Sequence, residues 1–301
     1  MTASTTAYPG GSAELAGRKV ARVGYGAMQL DRLRSDPDAA VALVRHAVER
    51  GVNHFDTAQF YGDGFVNDVL RRALPAGDEV AVVTKIGAEP NPAGPTPLRP
   101  AQRPEQLRAS VEVNLRSLGR DQVPVVYLRR LDVGPGIKAE GDQIVPIEDQ
   151  LATMTALRDE GKIGAIGLSG ITLDVLRAAL PAGIAAVQNA YNVINRDDED
   201  LLTLCVGEGV AWVPFFPLGG AFARFPNVAD DPVVREMAAG LGVTPSQVGL
   251  AWLLAHAPNV LLVPGTVSMA HLEENLAAGD LELPQAAVAA LNAANQAVSG
   301  S

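Results

Sequence analysis

The amino-acid sequence predicts an α/β protein built as a (β/α)8 barrel with a single domain. Eight short apolar runs alternate with longer amphipathic segments along the chain. Several short runs are rich in Val and Ile and lack the polar alternation of half-exposed strands, which is typical of buried parallel strands. The chain has 301 residues, 48% of them hydrophobic, enough for one large core. Length, strand count and alternation together favour one closed barrel.

The predicted strands are short and lie between turn residues. They are 20–25, 53–55, 80–84, 123–128, 163–168, 185–188, 210–215 and 260–263. An open, doubly wound sheet is the competing fold. It is disfavoured because no GxGxxG opens a helix after the first strand, and Gly24-Tyr25-Gly26 lacks the third glycine.

The predicted helices follow the rules for helix ends. For the first of them, Asp36 is a possible N-cap, Pro37 suits the first helical position and Gly51 ends the pattern. The predicted helices are 37–50, 65–73, 104–117, 148–159, 172–180, 198–207, 232–239, 245–256, 270–277 and 284–297.

The remaining segments divide into a tail and three long loops. Residues 1–17 are small, polar and Gly-rich, and we expect a flexible N-terminal tail before a barrel domain over 18–301. Segments 86–103, 132–147 and 217–230 are rich in Pro and Gly and show no secondary-structure pattern. Each follows a predicted strand, so we expect them at the C-terminal mouth of the barrel, where active sites lie.

Composition excludes several classes of function. The net charge is −10 and no segment is strongly basic, so we expect no nucleic-acid partner. Cys205 is the only cysteine, which excludes an internal disulfide and a Cys-based zinc cluster, and we expect no metal. No apolar run reaches the ~20 residues that span a bilayer, and the N-terminus does not resemble a signal peptide. We therefore expect a cytoplasmic protein without a membrane partner.

Three polar residues lie at or just after the ends of neighbouring predicted strands. Asp56 follows the second strand, Tyr61 lies in the next turn, and Lys85 closes the third strand. A buried ammonium group beside Tyr61 would lower the tyrosine pKa from about 10, and Asp56 would hold that ammonium group in place. Such a tyrosine is a general acid that can protonate a carbonyl oxygen, while a cofactor supplies hydride. The alternative is a capping Asp56, a packed Tyr61 and a solvated Lys85.

The amino-acid sequence around these residues resembles the signature of the aldo-keto reductase superfamily. The matching segments are GVNHFDTAQFYGDG and VVTKIG, followed in order by SVEVNLRSLGRDQVPVVYLRRLD, GKIGAIGLSG, VQNAYN, VPFFPLGG and VPGTVSMAHLEENLAA, with GYGAMQL before them. The resemblance covers roughly residues 18–295. It implies a TIM barrel that reduces a small-molecule carbonyl substrate with NADPH, with Asp56, Tyr61 and Lys85 as three members of a catalytic tetrad.

The fourth tetrad position departs from the family. The family usually has histidine at this position, in a motif of the form YLHRxD. The corresponding segment of this chain is YLRRLD, in which Arg129 occupies the position of the histidine. Arginine can also donate a hydrogen bond, but it stays cationic and would attract an anionic or phenolate-bearing substrate. The alternative is a structural ion pair with Asp132 or a loop carboxylate. His46, His54, His256 and His271 do not match this position.

The resemblance also implies the residues that bind the nicotinamide end of the cofactor. Ser169 and Gln188 match residues that bind the carboxamide, while Gly170 stands where the family usually has asparagine. Phe215 stands where a tyrosine often stacks on the nicotinamide ring, and it keeps the aromatic face. The matching motifs add Gly26, Met28, Pro217 and Leu218 to the predicted cofactor site.

The adenosine end is expected in segment 263–275. The N–H groups of Gly265 and Thr266, with the start of the helix near 270, are expected to hold a 2′-phosphate. Two basic positions common in the family are Gly265 and His271 here, so NADPH is favoured by resemblance and NADH is not excluded. The remaining predicted contacts are Ser268, Glu274 and Asn275.

Two other functions compete with carbonyl reduction. A non-catalytic, nicotinamide-nucleotide-binding regulatory subunit is supported by the changes at Arg129 and Gly170, and the three retained tetrad residues argue against it. A hydrolase or lyase is disfavoured because no GxSxG or HExxH motif occurs. The segments VVYLRR and VPFFPLGG look like a bacterial subgroup that includes pyridoxal reductases, although secondary-metabolite ketones are equally compatible. A monomer and a homo-oligomer both remain open.

Overall fold

A computed structural model of the chain describes residues 8–75, 77, 79–132, 136–220 and 226–294. Its strands, in chain order, are β1 (Ser12–Leu15), β2 (Arg18–Ala21), β3 (Tyr25–Gly26), β4 (His54–Asp56), β5 (Ala81–Ile86), β6 (Ala88–Pro90), β7 (Leu98–Pro100), β8 (Val123–Arg129), β9 (Ile163–Ser169), β10 (Ile184–Gln188) and β11 (Ala211–Trp212). Its α-helices are α1 (Pro37–Glu49), α2 (Phe65–Ala73), α3 (Pro104–Leu118), α4 (Ile147–Asp159), α5 (Leu173–Ala179), α6 (Glu199–Gly207), α7 (Pro232–Leu241), α8 (Pro245–His256), α9 (Met269–Ala277) and α10 (Gln285–Ala294).

The central sheet is parallel and closes on itself, which confirms the predicted barrel. Seven strands pair in the order β11-β10-β9-β8-β5-β4-β3. Segment 260–263 joins the two edges, since Val260 bridges Trp212 and Leu262 bridges Val23, both in parallel. The predicted eighth strand therefore exists as a bridging segment, and the sheet has no open edge at this seam.

A β-hairpin closes the end of the barrel opposite the strand C-termini, and it corrects the predicted tail. β1 pairs with β2 through a two-residue turn at Ala16 and Gly17, whose φ values of 51° and 75° suit a tight hairpin. Leu15 and Val20 are each 1% exposed and pack with the inward-facing Ala81 and other barrel residues. The boundary at residue 17 is thus wrong, and 12–15 belong to the barrel, while 1–7 lie outside the described residues. The predicted strand 20–25 is divided between β2 and β3.

The helices form the outer layer and agree with the predicted segments, with ends shifted by a few residues. Asp36 caps α1 as predicted, because its carboxylate accepts a hydrogen bond from the Ala39 N–H at 3.1 Å. Gly242, at φ 68°, ends α7 in the left-handed conformation that favours glycine. Residues 295–297 of the last predicted helix lie outside the described residues.

The three predicted loops contain more structure than the sequence indicates. Segment 86–103 includes the β6–β7 hairpin, in which Glu89 pairs with Arg99. The residues 141–143 and 228–230 form short 3-10 helices in the other two loops, of which 133–135 and 221–225 lie outside the described residues. The hairpin packs Ala88 and Leu98 on a small apolar cluster with Phe60 and Tyr61, so it covers one side of the barrel mouth.

No single helix of the described residues is long and apolar enough to cross a bilayer. Helices α7 and α8 reach that length and hydropathy only together, as a pair bent by 96°. The centre of α8, from Val248 to Leu253, is buried in the core of the protein.

Candidate active site

The strand register brings the predicted site residues to one rim of the barrel. Gly26 lies beside Asp56 on neighbouring strands. On the other side of the barrel, Ser169 lies beside both Arg129 and Gln188. Because the strands are parallel, their C-terminal residues share one end of the sheet, as the sequence predicts.

Asp56 and Lys85 form a buried ion pair at this rim. Lys85 Nζ contacts Asp56 Oδ1 and donates to the Thr57 carbonyl at 3.1 Å, and the two charged side chains are only 7% and 8% exposed. Gln188 Nε2 donates to the second oxygen of Asp56 at 2.7 Å. Burial acts to lower the pKa of Lys85, but Asp56 and then Tyr61 outweigh it and raise the pKa above its usual value. Lys85 is therefore held as a cation, and the interpretation of it as a solvated strand end is wrong.

Tyr61 lies against this cation in a turn that its own sequence explains. Lys85 Nζ is 5.1 Å from the centre of the Tyr61 ring, and Phe60 packs edge-to-face on the same ring at 5.4 Å. The chain then passes through Gly62, at φ 58°, where a side chain would come within 2.3 Å of Asp31. This left-handed backbone conformation favours glycine, so the glycine of the YGDG segment suits the turn that follows Tyr61.

Arg129 ends β8 and faces the same mouth without a carboxylate partner among the described residues. Its guanidinium carbon lies 6.0 Å from the centre of the Phe60 ring. Burial lowers the pKa of Arg129, and the neighbouring Tyr61 acts in the opposite direction. The predicted alternative, an ion pair with Asp132, is wrong because the adjacent Arg130 makes that pair, with Nη2 2.9 Å from Asp132 Oδ1.

Two buried glutamines support the backbone at Arg129, and neither was predicted as a site residue. Gln102 Nε2 donates to the Arg129 carbonyl at 2.9 Å and to the Gly87 carbonyl at 2.5 Å. Gln150 Nε2 in turn donates to Gln102 Oε1 at 2.9 Å. These bonds tie the ends of β5 and β8 to the segment that follows the β6–β7 hairpin. No motif marks either glutamine, because their partners are distant backbone groups.

The residues predicted to hold the nicotinamide end fit that group. Ser169 and Gln188 are buried side by side, and Gln188 Oε1 makes no hydrogen bond with any described residue, so it can accept one from a carboxamide N–H. Phe215 is half-buried and packs its ring on Phe216 at 5.0 Å. Gly170 has φ 64°, a conformation that glycine and asparagine both tolerate.

The segment predicted to hold the adenosine end packs closely against Gly26 of β3. A side chain at Gly26 would come within 2.3 Å of the Val263 carbonyl, so the GYG segment allows close backbone packing. The Tyr25 hydroxyl donates to the Thr266 carbonyl at 2.5 Å and holds this loop in place. Ser268 caps α9, because its hydroxyl oxygen accepts from the His271 N–H. The free N–H groups at this helix start suit a phosphate, whereas His271 is the only basic side chain in the segment 263–275.

The other predicted cofactor residues differ in exposure. Met28 is 47% exposed on a short 3-10 helix, while Pro217 is half-buried. Leu218 is half-buried and packs towards Gly249 of α8. Gly265 is half-buried beside the Gly26 carbonyl. Glu274 is half-buried and Asn275 is 8% exposed, both on α9. In the described part of the chain, no cluster of three or more His, Cys, Asp or Glu side chains could hold a metal ion.

The closed (β/α)8 barrel and the buried Lys85–Asp56 pair beside Tyr61 match the arrangement that the sequence resemblance implies for a nicotinamide-dependent oxidoreductase. The model of the Aldo/keto reductase family matches residues 22–296, and the chain belongs to that family. Pyridoxine 4-dehydrogenase of Escherichia coli is 41% identical over 283 residues, which cover 91% of this chain and 95% of that protein.

Solved structures of the family share the fold. A thermostable aldo-keto reductase, Tm1743, in complex with the inhibitor epalrestat has a TM-score of 0.78 at 26% identity, covering 94% of this chain and 98% of that one. An aldo/keto reductase from Klebsiella pneumoniae, solved with NADP and acetate, has a TM-score of 0.78 at 24% identity, covering 94% and 95%. The protein is thus an NAD(P)H-dependent oxidoreductase of this family.

Proposed function

We propose that this protein reduces an aldehyde or ketone to an alcohol with NADPH, and that Tyr61 donates the proton. The observation that carries the proposal is the buried Asp56–Lys85 pair, whose ammonium nitrogen lies 5.1 Å from the centre of the Tyr61 ring. A bound NADPH supplies the hydride that reaches the carbonyl carbon. Tyr61 Oη gives its proton to the carbonyl oxygen, and Lys85 stabilises the phenolate that remains. Asp56 keeps Lys85 charged and in place, and the reverse transfer oxidises the alcohol.

The remaining predicted residues hold the cofactor and the substrate. Ser169, Gln188 and Phe215 are proposed to orient the nicotinamide, with Gly26, Met28, Pro217 and Leu218 around it. The 2′-phosphate and adenine are assigned to Gly265, Thr266, Ser268, His271, Glu274 and Asn275. Preference for NADPH over NADH rests on the family, because this segment carries little positive charge. We propose a cytoplasmic enzyme without nucleic-acid or membrane partners, as a monomer or a homo-oligomer.

An activity assay on the purified protein distinguishes the proposed reductase from the alternative, a non-catalytic regulatory subunit. The arginine at position 129, where the family usually has histidine, is the observation that favours the alternative. We expect NADPH absorbance at 340 nm to fall only when an aldehyde such as pyridoxal or 4-nitrobenzaldehyde is present. NADH should react more slowly at equal concentration. If no aldehyde or ketone is reduced while fluorescence titration shows tight NADPH binding, the chain is a nucleotide-binding subunit and the reductase proposal is wrong.

We propose further that the substrate resembles pyridoxal, an aromatic aldehyde with an ionisable phenol. The support is the 41% identity to pyridoxine 4-dehydrogenase and the guanidinium of Arg129 at the barrel mouth, which has no carboxylate partner among the described residues. A charge-assisted hydrogen bond from Arg129 to the phenolate would contribute about 1.5–3 kcal/mol.

Replacing the guanidinium tests this substrate assignment. Arg129→Met should lower kcat/KM for pyridoxal by roughly 10–100-fold, because that bond is lost, and lower it much less for uncharged benzaldehyde. Steady-state kinetics on both aldehydes gives the comparison, with Arg129→Lys as the variant that keeps the charge. An equal loss on the two aldehydes would show that Arg129 acts on the carbonyl or the fold and does not select the phenolate.

A further inference from the structure

Arg129 carries a positive charge that no carboxylate of the described residues pairs with. Two acidic side chains near it are bonded to other cations, since Asp132 pairs with Arg130 and Asp56 pairs with Lys85. The Arg129 side chain is half-buried, and burial disfavours a charged group that has no partner. The guanidinium group therefore needs a contact that stabilises it in place of a carboxylate.

An aromatic pair supplies that contact. Phe60 and Tyr61 pack edge to face, with their ring centres 5.4 Å apart and their planes at 88°. The guanidinium carbon of Arg129 lies over the Phe60 ring, 6.0 Å from its centre, and Lys85 Nζ lies over the Tyr61 ring at 5.1 Å. Each ring of the pair thus holds one cation. The face of an aromatic ring attracts a cation through its quadrupole but carries no net charge, so Phe60 stabilises Arg129 without neutralising it.

The strand register places the two cations at different depths. Lys85 on β5 lies beside Tyr127 on β8, two residues before Arg129. A strand rises about 3.3 Å per residue, so the backbone of Arg129 lies roughly 6–7 Å nearer to the mouth of the barrel than that of Lys85. Gln102 donates to the Arg129 carbonyl at 2.9 Å and fixes the backbone there. The deeper cation therefore serves Tyr61, and the outer cation is available to a ligand.

The Phe60 ring is itself held by the segments around the mouth. It is 9% exposed, and Leu98 of β7 and Ile137 of the loop after β8 pack on the small apolar cluster that Phe60 forms with two buried alanines. The same loop also approaches the guanidinium group, since a Cβ atom at Gly136 would lie 3.5 Å from Arg129 Nη2. Phe60 is thus anchored by contacts of its own and can in turn hold the guanidinium group.

From this geometry we propose that Phe60 is a positioning residue that selects for aldehydes with an anionic group. Its ring holds the Arg129 guanidinium at the barrel mouth through a cation–π contact and leaves the positive charge available to a phenolate of the substrate. A carboxylate in the place of Phe60 would also hold Arg129, but it would cancel that charge. The selectivity rests on the proposed function, whereas the contact between the ring and the guanidinium group does not.

Fluorination of the Phe60 ring tests the selectivity with little change of shape. Each fluorine withdraws electron density from the ring face and weakens its attraction for a cation. With 4-fluoro-, 3,5-difluoro- and 3,4,5-trifluorophenylalanine at position 60, KM for pyridoxal should rise stepwise, by roughly 3–30-fold in the last of them. The kcat for pyridoxal and the kcat/KM for uncharged benzaldehyde should stay within about 2-fold, because Tyr61 keeps its neighbouring ring.

Phe60→Leu tests the contact in the protein without nucleotide or substrate. Leucine keeps an apolar side chain in the cluster but has no ring, so the Nε–Hε NMR signal of Arg129 should lose its ring-current shift. The signal is identified by its absence in Arg129→Lys. The matched control is Phe65→Leu, because the Phe65 ring lies 5.2 Å from the guanidinium carbon of Arg34. This control should move the Arg34 signal and leave both the Arg129 signal and the aldehyde selectivity unchanged.

The outcomes separate this proposal from the proposed function. An Arg129 signal that does not move in Phe60→Leu would overturn the proposal, whether or not an aldehyde is reduced. In an active enzyme, a constant KM for pyridoxal across the fluorinated series, or an equal loss on pyridoxal and benzaldehyde, would overturn the selective role of Phe60. If the unmodified protein reduces neither aldehyde, the proposed function fails, and the NMR comparison still decides whether Phe60 holds Arg129.

Discussion

Tyr61→Phe should abolish most of the aldehyde-dependent oxidation of NADPH while it leaves nucleotide binding intact. The change removes only the hydroxyl that we assign as proton donor, and the ring keeps its contacts with Phe60 and Lys85. General acid catalysis contributes about 10²–10⁴-fold, so kcat should fall by at least about 100-fold. Stopped-flow absorbance after mixing the NADPH-loaded protein with aldehyde measures the hydride-transfer step directly.

Two comparisons make this result specific. The NADPH dissociation constant of Tyr61→Phe should match that of the unmodified chain, which shows that the site is still formed. Tyr191→Phe, which lacks a hydroxyl outside the barrel, should retain full turnover. Hydride transfer within about 3-fold of normal in Tyr61→Phe, far short of the loss expected for a general acid, would mean that another group supplies the proton.

The sequence predicted the barrel and the placement of the catalytic candidates because both depend on strand ends. Apolar runs of strand length locate the sheet, and parallel strands put their C-terminal residues at one rim. Asp56 and Lys85 therefore meet as expected. Residues 12–15 were assigned to a tail because β1 is short and polar on one face, and only its pairing with β2 reveals that Leu15 is buried. The β6–β7 hairpin was missed for the same reason, since its pairing lies within a Pro-rich segment.

The two adjacent arginines show what a single sequence cannot decide. Arg129 and Arg130 have the same chemistry, and either could pair with Asp132 by spacing. Successive residues of a strand face opposite sides, so one of them points into the barrel and the other away from it. Arg130 takes the outward position and binds both Asp132 and Gln150, and this leaves Arg129 to face Phe60. The strand register settles which arginine is available to a ligand.

The polar rings of His54 and Tyr127 inside the barrel could not be predicted from sequence. His54 is fully buried, and neither of its ring nitrogens makes a hydrogen bond with a described residue. Gly24 and Gly167 have no motif that links them to His54 and Tyr127, because each pair is formed between neighbouring strands. A ring and the glycine beside it are separated by tens of residues, so local patterns do not connect them.

Lys85→Met should destabilise the fold as well as stop catalysis. The substitution leaves the Asp56 carboxylate, 8% exposed, with Gln188 as its remaining side-chain donor. Breaking one side of a buried ion pair costs about 3–5 kcal/mol, measurable as a lower free energy of unfolding in urea.

The pH dependence of this loss follows from the pKa of Lys85, which is raised above 10.5 in the folded state. The contribution of Lys85 to the free energy of unfolding is therefore complete below that value and is lost as pH rises through the folded pKa. The stability deficit of Lys85→Met should therefore be full at pH 7 and shrink only in strong alkali.

A second variant separates the two effects of this lysine. Asp56→Asn combined with Lys85→Met removes both charges, and an amide tolerates burial far better than an unpaired carboxylate does. The double variant should recover much of the lost unfolding free energy and yet lose most of its aldehyde reduction, because Tyr61 no longer has the Lys85 cation that stabilises its phenolate. Activity in the stable double variant would show that the ion pair serves the fold alone. A single variant as stable as the unmodified chain would show that Asp56 is not held as a buried charge by Lys85.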